Sequence, residues 1–121
     1  MDRLLSGRRV LVVEDEMLLL LNIEDILTDL GCQSVGAAAT VDQALALINA
    51  EAFDVAMVDV NLNGMTSYRV ADALTAQGVP FVFSTGYTGG SLDDGYRDRP
   101  VLGKPYLESQ LIAMLTRLLR P

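Results

Sequence analysis

A short stretch, Val-Leu-Val-Val-Glu-Asp-Glu at residues 10–16, is the strongest indicator of the fold. Four consecutive apolar residues bounded by charge are typical of a strand covered on both faces, as in a parallel sheet. A second run of this kind, residues 55–58, leads directly into Asp59. Each of these predicted strands therefore has carboxylates at its carboxyl end, and in a parallel sheet those ends share one edge.

Helical patterns alternate with the strands. Apolar residues recur at helical spacing from Leu20 to Leu30, and Gly31 follows where a helix would stop. Thr40 and Gln43 have the spacing of a capping box at the start of a second helix. Further helical patterns follow Thr66 or Ser67, ending before Gly78, and lie at residues 111–118. Further strand-like runs lie at 33–37, 81–83 and 101–102.

This alternation predicts an α/β fold with a parallel sheet and right-handed crossovers. Five strands fit a flavodoxin-like, doubly wound sheet in the order 2-1-3-4-5. Glycine recurs between Thr85 and Lys104 without a helical apolar stripe, and each glycine costs a helix about 1 kcal/mol relative to alanine. We therefore expect the fourth helix to be degenerate or missing, with a mobile loop or single turn over residues 87–100.

Composition limits the function classes. The chain has 121 residues, and its 9 basic against 16 acidic residues give a net charge of −7, which argues against binding nucleic acid or an anionic membrane. It has no histidine and one cysteine, which excludes histidine-dependent catalysis, histidine metal sites, cysteine zinc sites and internal disulfides. Acidic residues interrupt the first apolar run too early for a signal or membrane segment, so we expect a cytoplasmic location.

Residues of defined chemistry end the predicted strands: Glu14, Asp15, Asp59, Thr85 and Lys104. Carboxylates about 4 Å apart repel by about 1–4 kcal/mol per pair, so three of them favour a shared cation or a bound proton. Oxygen ligands alone indicate a hard ion, Mg²⁺ with Mn²⁺ as a substitute, held by the three acids and a backbone carbonyl at Asn61.

The open positions of such an ion would accept a phosphoryl group. A carboxylate beside the metal can attack phosphorus and form an acyl phosphate. The transferring group carries charge on three oxygens, to which Lys104 offers a positive charge and Thr85 a hydroxyl. Taken singly, acids at strand ends often cap loops and a Lys-Pro pair often forms a turn, so the prediction depends on the five residues together.

The sequence resembles response-regulator receiver domains over nearly its whole length. The matching motifs are Val-Val-Glu-Asp-Glu at 12–16, Met-Val-Asp-Val-Asn-Leu-Asn-Gly at 57–64, Ser-Thr-Gly at 84–86 and Gly-Lys-Pro-Tyr at 103–106. The resemblance implies that Asp59 accepts phosphate from a phosphohistidine and that Glu14 and Asp15 bind Mg²⁺. It also implies that Thr85 moves toward the phosphate and that Lys104 pairs with it.

The resemblance extends to further positions. The peptide before Pro105 would be cis, a form nearly confined to proline. Asn61 and Tyr87 occupy positions that tune phosphate lifetime in the family, and a bulky Tyr87 would shield the acyl phosphate. Val101 stands where many receivers have the aromatic residue that couples to the switch threonine. Tyr87 or Tyr106 would be the substitute for that aromatic.

The partners are expected to be proteins. Residues 83–87, Phe-Ser-Thr-Gly-Tyr, resemble the Phe-Ala-Thr-Gly signature of an alphaproteobacterial subfamily associated with HWE and HisKA2 histidine kinases. The donor would be such a kinase or a phosphotransfer protein. The first helix has more apolar residues than one core face needs, and we expect Met17, Leu18 and Leu21 to dock this partner.

We expect one receiver domain over residues 1–121, with a short extension at 1–7 and no output domain, because the chain ends one residue after its last helix. Such a stand-alone switch would be a monomer or weak dimer with an unidentified protein target. It is not expected to be an enzyme, although it could catalyse its own phosphorylation and dephosphorylation.

Two other functions fit the same fold. An FMN-binding electron carrier needs a Ser/Thr-rich phosphate loop after the first strand, where this chain has acids at 14–16. A phosphohydrolase with an aspartyl nucleophile usually has a second aspartate two residues later, a position that Asn61 occupies here. A yellow protein would favour the first, and repeated turnover of a phosphate ester the second.

Overall fold

A computed structural model describes residues 5–86, 96 and 99–120. Seven strands and four helices lie within these residues. In chain order they are β1 (Arg9–Val13), α1 (Met17–Asp29), β2 (Ser34–Ala38), α2 (Val41–Ala50), β3 (Val55–Asp59), β4 (Asn61–Leu62), β5 (Met65–Thr66), α3 (Tyr68–Ala76), β6 (Phe81–Thr85), β7 (Val101–Gly103) and α4 (Glu108–Leu119). None of the helices in this described part is long and apolar enough to cross a membrane.

The main sheet has five strands in the order β2-β1-β3-β6-β7, and all its neighbours are parallel. This is the predicted flavodoxin-like order, because β4 and β5 form a separate hairpin that adds two to the later strand numbers. The order reverses between β1 and β3, which are adjacent. Ligand sites of doubly wound sheets form beyond the carboxyl ends of the strands at this reversal.

Two apolar layers cover the sheet, one on each face. Along β1, Leu11 and Val13 belong to the layer under α2 and α3, while Val10 and Val12 belong to the layer under α1 and α4. All four side chains are at most 1% exposed. The continuous apolar run of β1 is thus explained by burial on both faces, as the sequence indicates.

The helix ends follow the sequence with one correction. Gly31 adopts a φ of +88° directly after the last residue of the first helical pattern, where a left-handed residue ends a helix. Thr40 caps α2 by accepting the Gln43 N–H at 3.1 Å. The capping-box prediction was wrong in its second half, because the Gln43 side chain accepts the N–H of Ala39 rather than that of Thr40.

The β4–β5 hairpin was not predicted. It pairs Asn61 with Thr66 and Leu62 with Met65, which leaves a two-residue turn at Asn63 and Gly64. The φ angles of Asn63 and Gly64 are +53° and +86°, and two left-handed central residues define a type I′ turn. Leu62 is 3% exposed and anchors the hairpin in the core.

Most of the segment for which a loop was predicted, including residues 87–95, lies outside the described residues, so the degenerate fourth helix stays a prediction. Tyr96 is described, and its ring stacks on Tyr68 with centroids 5.6 Å apart. Its hydroxyl donates to the carboxylate of Asp72. The Arg99 guanidinium lies 5.1 Å from the centroid of the Phe81 ring. These contacts fix the chain to α3 and β6 just before β7.

Candidate functional site

Three carboxylates meet at the carboxyl edge of the sheet. Glu14 follows β1, Asp59 ends the neighbouring strand β3, and Asp15 is next to Glu14 in sequence. One oxygen from each carboxylate lies within 4.8 Å of the others. Glu14 and Asp59 are only 1% and 6% exposed, and Asp15 is half-buried. The sheet therefore brings together the acids that the sequence placed at one edge.

A single ammonium group lies between two of these acids. The Lys104 Nζ is 2.6 Å from Glu14 Oε1 and 3.0 Å from Asp59 Oδ2. Burial by itself would lower the pKa of Lys104, but its hydrogen bonds to Glu14 and Asp59 outweigh burial and raise that pKa. Lys104 therefore stays charged across the physiological range and neutralises part of the pocket.

The pocket still carries excess negative charge. Three ionised carboxylates and one ammonium sum to −2. Burial raises the pKa of Glu14 from 4.5 to about 7, and the charge of Asp59 also raises it. Hydrogen bonds from Lys104 and from the Glu16 N–H, the latter at 3.1 Å, oppose this rise without cancelling it. Without a cation, Glu14 binds a proton near neutral pH.

The donor set fits a hard divalent cation. All three converging ligands are carboxylate oxygens, and Mg²⁺ and Mn²⁺ prefer oxygen ligands. The acids are already within reach of one ion, and the one ammonium among them leaves their charge undercompensated. The Asn61 N–H donates to Asp59 Oδ1 at 3.3 Å, which places Asn61 beside the same pocket.

The other residues predicted for the edge are close by. Thr85 ends β6 and is half-buried, and its carbonyl accepts the Lys104 N–H at 2.8 Å. The Lys104–Pro105 peptide has the cis form that the family resemblance implies. Tyr87 lies outside the described residues, so its tuning and switch roles stay predictions. Val101 is 41% exposed at the start of β7.

Tyr106 lies beside the pocket. Its hydroxyl is buried and has no hydrogen-bond partner among the residues that the structure describes. Burial raises its pKa to about 12, and the Glu14 charge adds to the rise. With Glu16, Leu19 and the Lys104–Pro105 peptide, Tyr106 lines a cavity of about 410 Å³. Tyr106 is therefore near enough to Glu14 for the charge of that carboxylate to affect the pKa of its hydroxyl.

The first helix exposes an apolar surface, which we call the α1 surface and define as Met17, Leu18 and Leu21. These side chains are 55%, 85% and 52% exposed. The inward residues of the same helix are Leu20, Ile23 and Leu27. The helix begins three residues after Glu14, so the α1 surface adjoins the acidic pocket.

Sequence reasoning missed the contact between the hairpin and Asp15. The Asn63 N–H donates to Asp15 Oδ2 at 2.8 Å. The Asn-Gly dipeptide at 63–64 was the available signal, because this pair favours two-residue type I′ turns. The dipeptide indicates a turn, but strands of two residues leave no pattern of their own, and the link to Asp15 depends on the tertiary structure.

The pH dependence of stability offers a test of the pocket. The unfolded chain releases the Glu14 proton near pH 4.5, whereas the folded protein holds it until about pH 7. The metal-free protein should therefore lose stability as pH rises between these values, by on the order of 3 kcal/mol from this group.

Urea unfolding in EDTA at pH 5 to 8 measures this effect as the difference between wild type and Glu14→Gln, which cancels contributions from other acids. The wild type should lose free energy of unfolding with rising pH relative to the variant. Parallel pH profiles for the two proteins would show that Glu14 titrates normally.

Known proteins that are similar in sequence and structure agree with this geometry. A family model for the response regulator receiver domain matches residues 10–116. The solution structure of SdrG from Sphingomonas melonis Fr1 is 41% identical, with a TM-score of 0.80 over 99% of this chain and 100% of that chain. The crystal structure of the response regulator PhyR from Brucella abortus is 28% identical, with a TM-score of 0.81 over 97% of this chain and 50% of that chain.

A further similar structure is the solution NMR structure of the PhyR receiver domain from Erythrobacter litoralis. It is 29% identical, with a TM-score of 0.82 over 94% of this chain and 91% of that chain. No curated protein matches the chain at a significant level. The family match covers most of the chain, and the fold and acidic pocket agree with it. The chain belongs to the response regulator receiver domain family.

Proposed function

We propose that the protein is a signalling switch in which Asp59 accepts a phosphoryl group from a histidine kinase or phosphotransfer protein. The observation that carries the proposal is the surrounding of Asp59. Its carboxylate ends a central strand, lies 3.0 Å from the Lys104 ammonium, and shares a 4.8 Å cluster with Glu14 and Asp15. This combination supplies a nucleophile, a fixed positive charge and ligands for a cation.

In the transfer step, a carboxylate oxygen of Asp59 attacks the phosphorus of the phosphohistidine. The new O–P bond forms as the N–P bond breaks, and the electron pair of that bond returns to the imidazole of the donor. Lys104 binds one phosphoryl oxygen, and Thr85, which ends β6 at the same edge, is proposed to offer its hydroxyl to another. Glu14, Asp15, Asp59 and the Asn61 carbonyl would hold Mg²⁺ or Mn²⁺, which would supply positive charge to the transferring group.

Asn61 favours a single transfer over repeated ester hydrolysis. Its side-chain oxygen accepts the Gly64 N–H at 2.7 Å, and a side-chain amide is too weakly acidic to protonate a leaving group, as the second aspartate of a phosphohydrolase would. The chain would therefore keep its phosphoryl group until water attacks it. Asn61 and Tyr87 are the proposed determinants of that lifetime. Tyr106, whose buried hydroxyl lies beside the pocket, is a proposed aromatic partner of Thr85.

We propose that this receiver domain, which is similar to SdrG over almost the whole of both chains, acts through contacts with other proteins. The donor proposed from residues 83–87 is a kinase of the HWE or HisKA2 type. The excess of acidic residues supports protein partners rather than nucleic acid. We propose a monomer or weak dimer whose output is binding to another protein.

Incubation with acetyl phosphate and Mg²⁺, followed by mass spectrometry of the intact protein, tests the function directly. The expected result is one adduct of about 80 Da, the mass of one phosphoryl group. Addition of EDTA should suppress this adduct, because the carboxylates then lack the charge of the divalent cation. An unmodified mass in the presence of a bound divalent ion would refute the proposal.

The α1 surface is the proposed docking site for the kinase. Leu18→Glu places a charge on its most exposed side chain and should slow phosphotransfer from an HWE-type kinase about tenfold or more, because apolar contacts are lost. Labelling by acetyl phosphate should not change. The rate is measured with a purified kinase that labels the wild-type chain.

Ala76→Glu is the matched control, since it adds the same charge to an exposed position on α3, which packs on the opposite face of the sheet. The Ala76→Glu variant should be labelled at the wild-type rate by both the kinase and acetyl phosphate. Equal kinase rates for Leu18→Glu and Ala76→Glu would exclude docking through the α1 surface.

A further inference from the structure

We propose that the Asn63–Gly64 turn of the β4–β5 hairpin is a positioning element for the divalent cation, because it orients the carboxylate of Asp15. The inference rests on the proposed function, of which the cation is a part. It assigns a role to a hairpin that the phosphorylation chemistry does not itself require.

Asp15 depends on the hairpin more than the other acids depend on any one contact. Glu14 is held by Lys104 and by the Glu16 N–H, and Asp59 by Lys104 and the Asn61 N–H. Within the described residues, the one hydrogen bond to the Asp15 carboxylate comes from the Asn63 N–H, at 2.8 Å. A carboxylate has enough lone pairs to accept this bond and still bind an ion.

The turn presents this N–H in a fixed direction. The φ angles of +53° at Asn63 and +86° at Gly64 set the two-residue loop. The Gly64 N–H donates to the Asn61 side chain at 2.7 Å, and the buried Leu62 anchors the first strand of the hairpin. The Asn61 N–H reaches Asp59 at 3.3 Å, so residues 61–64 contact two of the three acids.

Groups that hydrogen-bond to a metal-binding side chain fix the orientation of that side chain. Their loss typically lowers metal affinity about 10- to 100-fold. Since Asp15 is half-buried at the end of a loop rather than within a strand, its carboxylate can rotate once the Asn63 contact is lost. We therefore expect the conformation of the turn to set the affinity of the site for Mg²⁺.

A matched pair of glycine variants provides the test. Gly64 and Gly78 both have left-handed φ angles, +86° and +71°, and a Cβ at either position would meet no atom within 4 Å. Valine at each site therefore imposes backbone strain of the same kind, with no clash at its Cβ atom. Gly78 follows α3 and precedes β6, at the opposite edge of the sheet from the acids.

Isothermal titration with MgCl₂ should show a Kd for Gly64→Val about tenfold or more above that of wild type. Gly78→Val should stay within about twofold of wild type, while both variants lose thermal stability. Asn61→Ala, which removes the acceptor for the Gly64 N–H and keeps the backbone, should weaken Mg²⁺ binding in the same direction. Equal Kd values for Gly64→Val and Gly78→Val would overturn the inference and leave the proposed function intact.

A measurement without metal covers the case in which Gly64→Val does not fold. Amide hydrogen exchange in EDTA should show faster exchange at Asn63 in Asp15→Ala than in wild type, because the acceptor of that N–H is gone. Unchanged exchange would overturn the inference. If wild type itself binds no Mg²⁺, both the cation in the proposed function and the inference about the turn are wrong.

Discussion

The Asp59→Asn protein is expected to keep its unmodified mass after treatment with acetyl phosphate and Mg²⁺, under conditions in which wild type gains about 80 Da. The amide is nearly isosteric with the carboxylate and can still accept a hydrogen bond from Lys104, but it cannot form an acyl phosphate. The loss should be complete, because the other carboxylate beside Lys104, that of Glu14, is proposed to bind the cation and not to accept the phosphoryl group.

Asp54→Asn is the matched control for this change. Asp54 accepts the Arg9 N–H at 2.9 Å just before β3, at the edge of the sheet opposite to the acidic pocket. It should be labelled like wild type. A phosphoryl adduct on Asp59→Asn, mapped by peptide mass spectrometry to any other residue, would show that the acceptor has been misassigned.

The Lys104→Met protein should react with acetyl phosphate at least about 100-fold more slowly than wild type, since one fixed donor to a transferring group contributes about this factor. Its metal-free form should also lose about 3–5 kcal/mol of unfolding free energy at pH 8, because two buried carboxylates then lack their shared counterion. The loss should shrink at pH 5.5, where Glu14 holds a proton.

Quench-flow labelling and urea unfolding measure the two effects. Arg9→Met is the control, because it removes a cation from a partly exposed ion pair with Glu51 and should cost at most about 1 kcal/mol. A Lys104→Met protein as stable and reactive as Arg9→Met would mean that the ammonium does not compensate the pocket.

The sequence predicted the framework because burial on two faces leaves a clear pattern. The runs at 10–13 and 55–58 are fully covered strands, and their alternation with helices indicates a parallel sheet for which the flavodoxin-like order fits five strands. The juxtaposition of Glu14, Asp59 and Lys104 then follows from where the strands end. The position of the Lys104 ammonium between Glu14 and Asp59 could not be predicted, because it depends on side-chain torsion angles that the sequence pattern does not reveal.

The hairpin was missed for a related reason. Strands of two residues leave no periodicity to detect, and the turn depends on the φ angles of Asn63 and Gly64. The Gln43 correction is similar, since the side chain can reach either of two adjacent N–H groups and the loop before α2 decides which. The Tyr96 contacts with Tyr68 and Asp72 also depend on tertiary packing alone.

Asp59, the proposed acceptor, and its counterion Lys104 are 45 residues apart in sequence and meet only because separate strands end at one edge of the sheet. A chain still emerging from the ribosome, or one that has denatured, has a solvated aspartate with ordinary reactivity instead of this pocket. We therefore expect a kinase to phosphorylate only folded molecules, so that unfolded copies would not contribute to signalling.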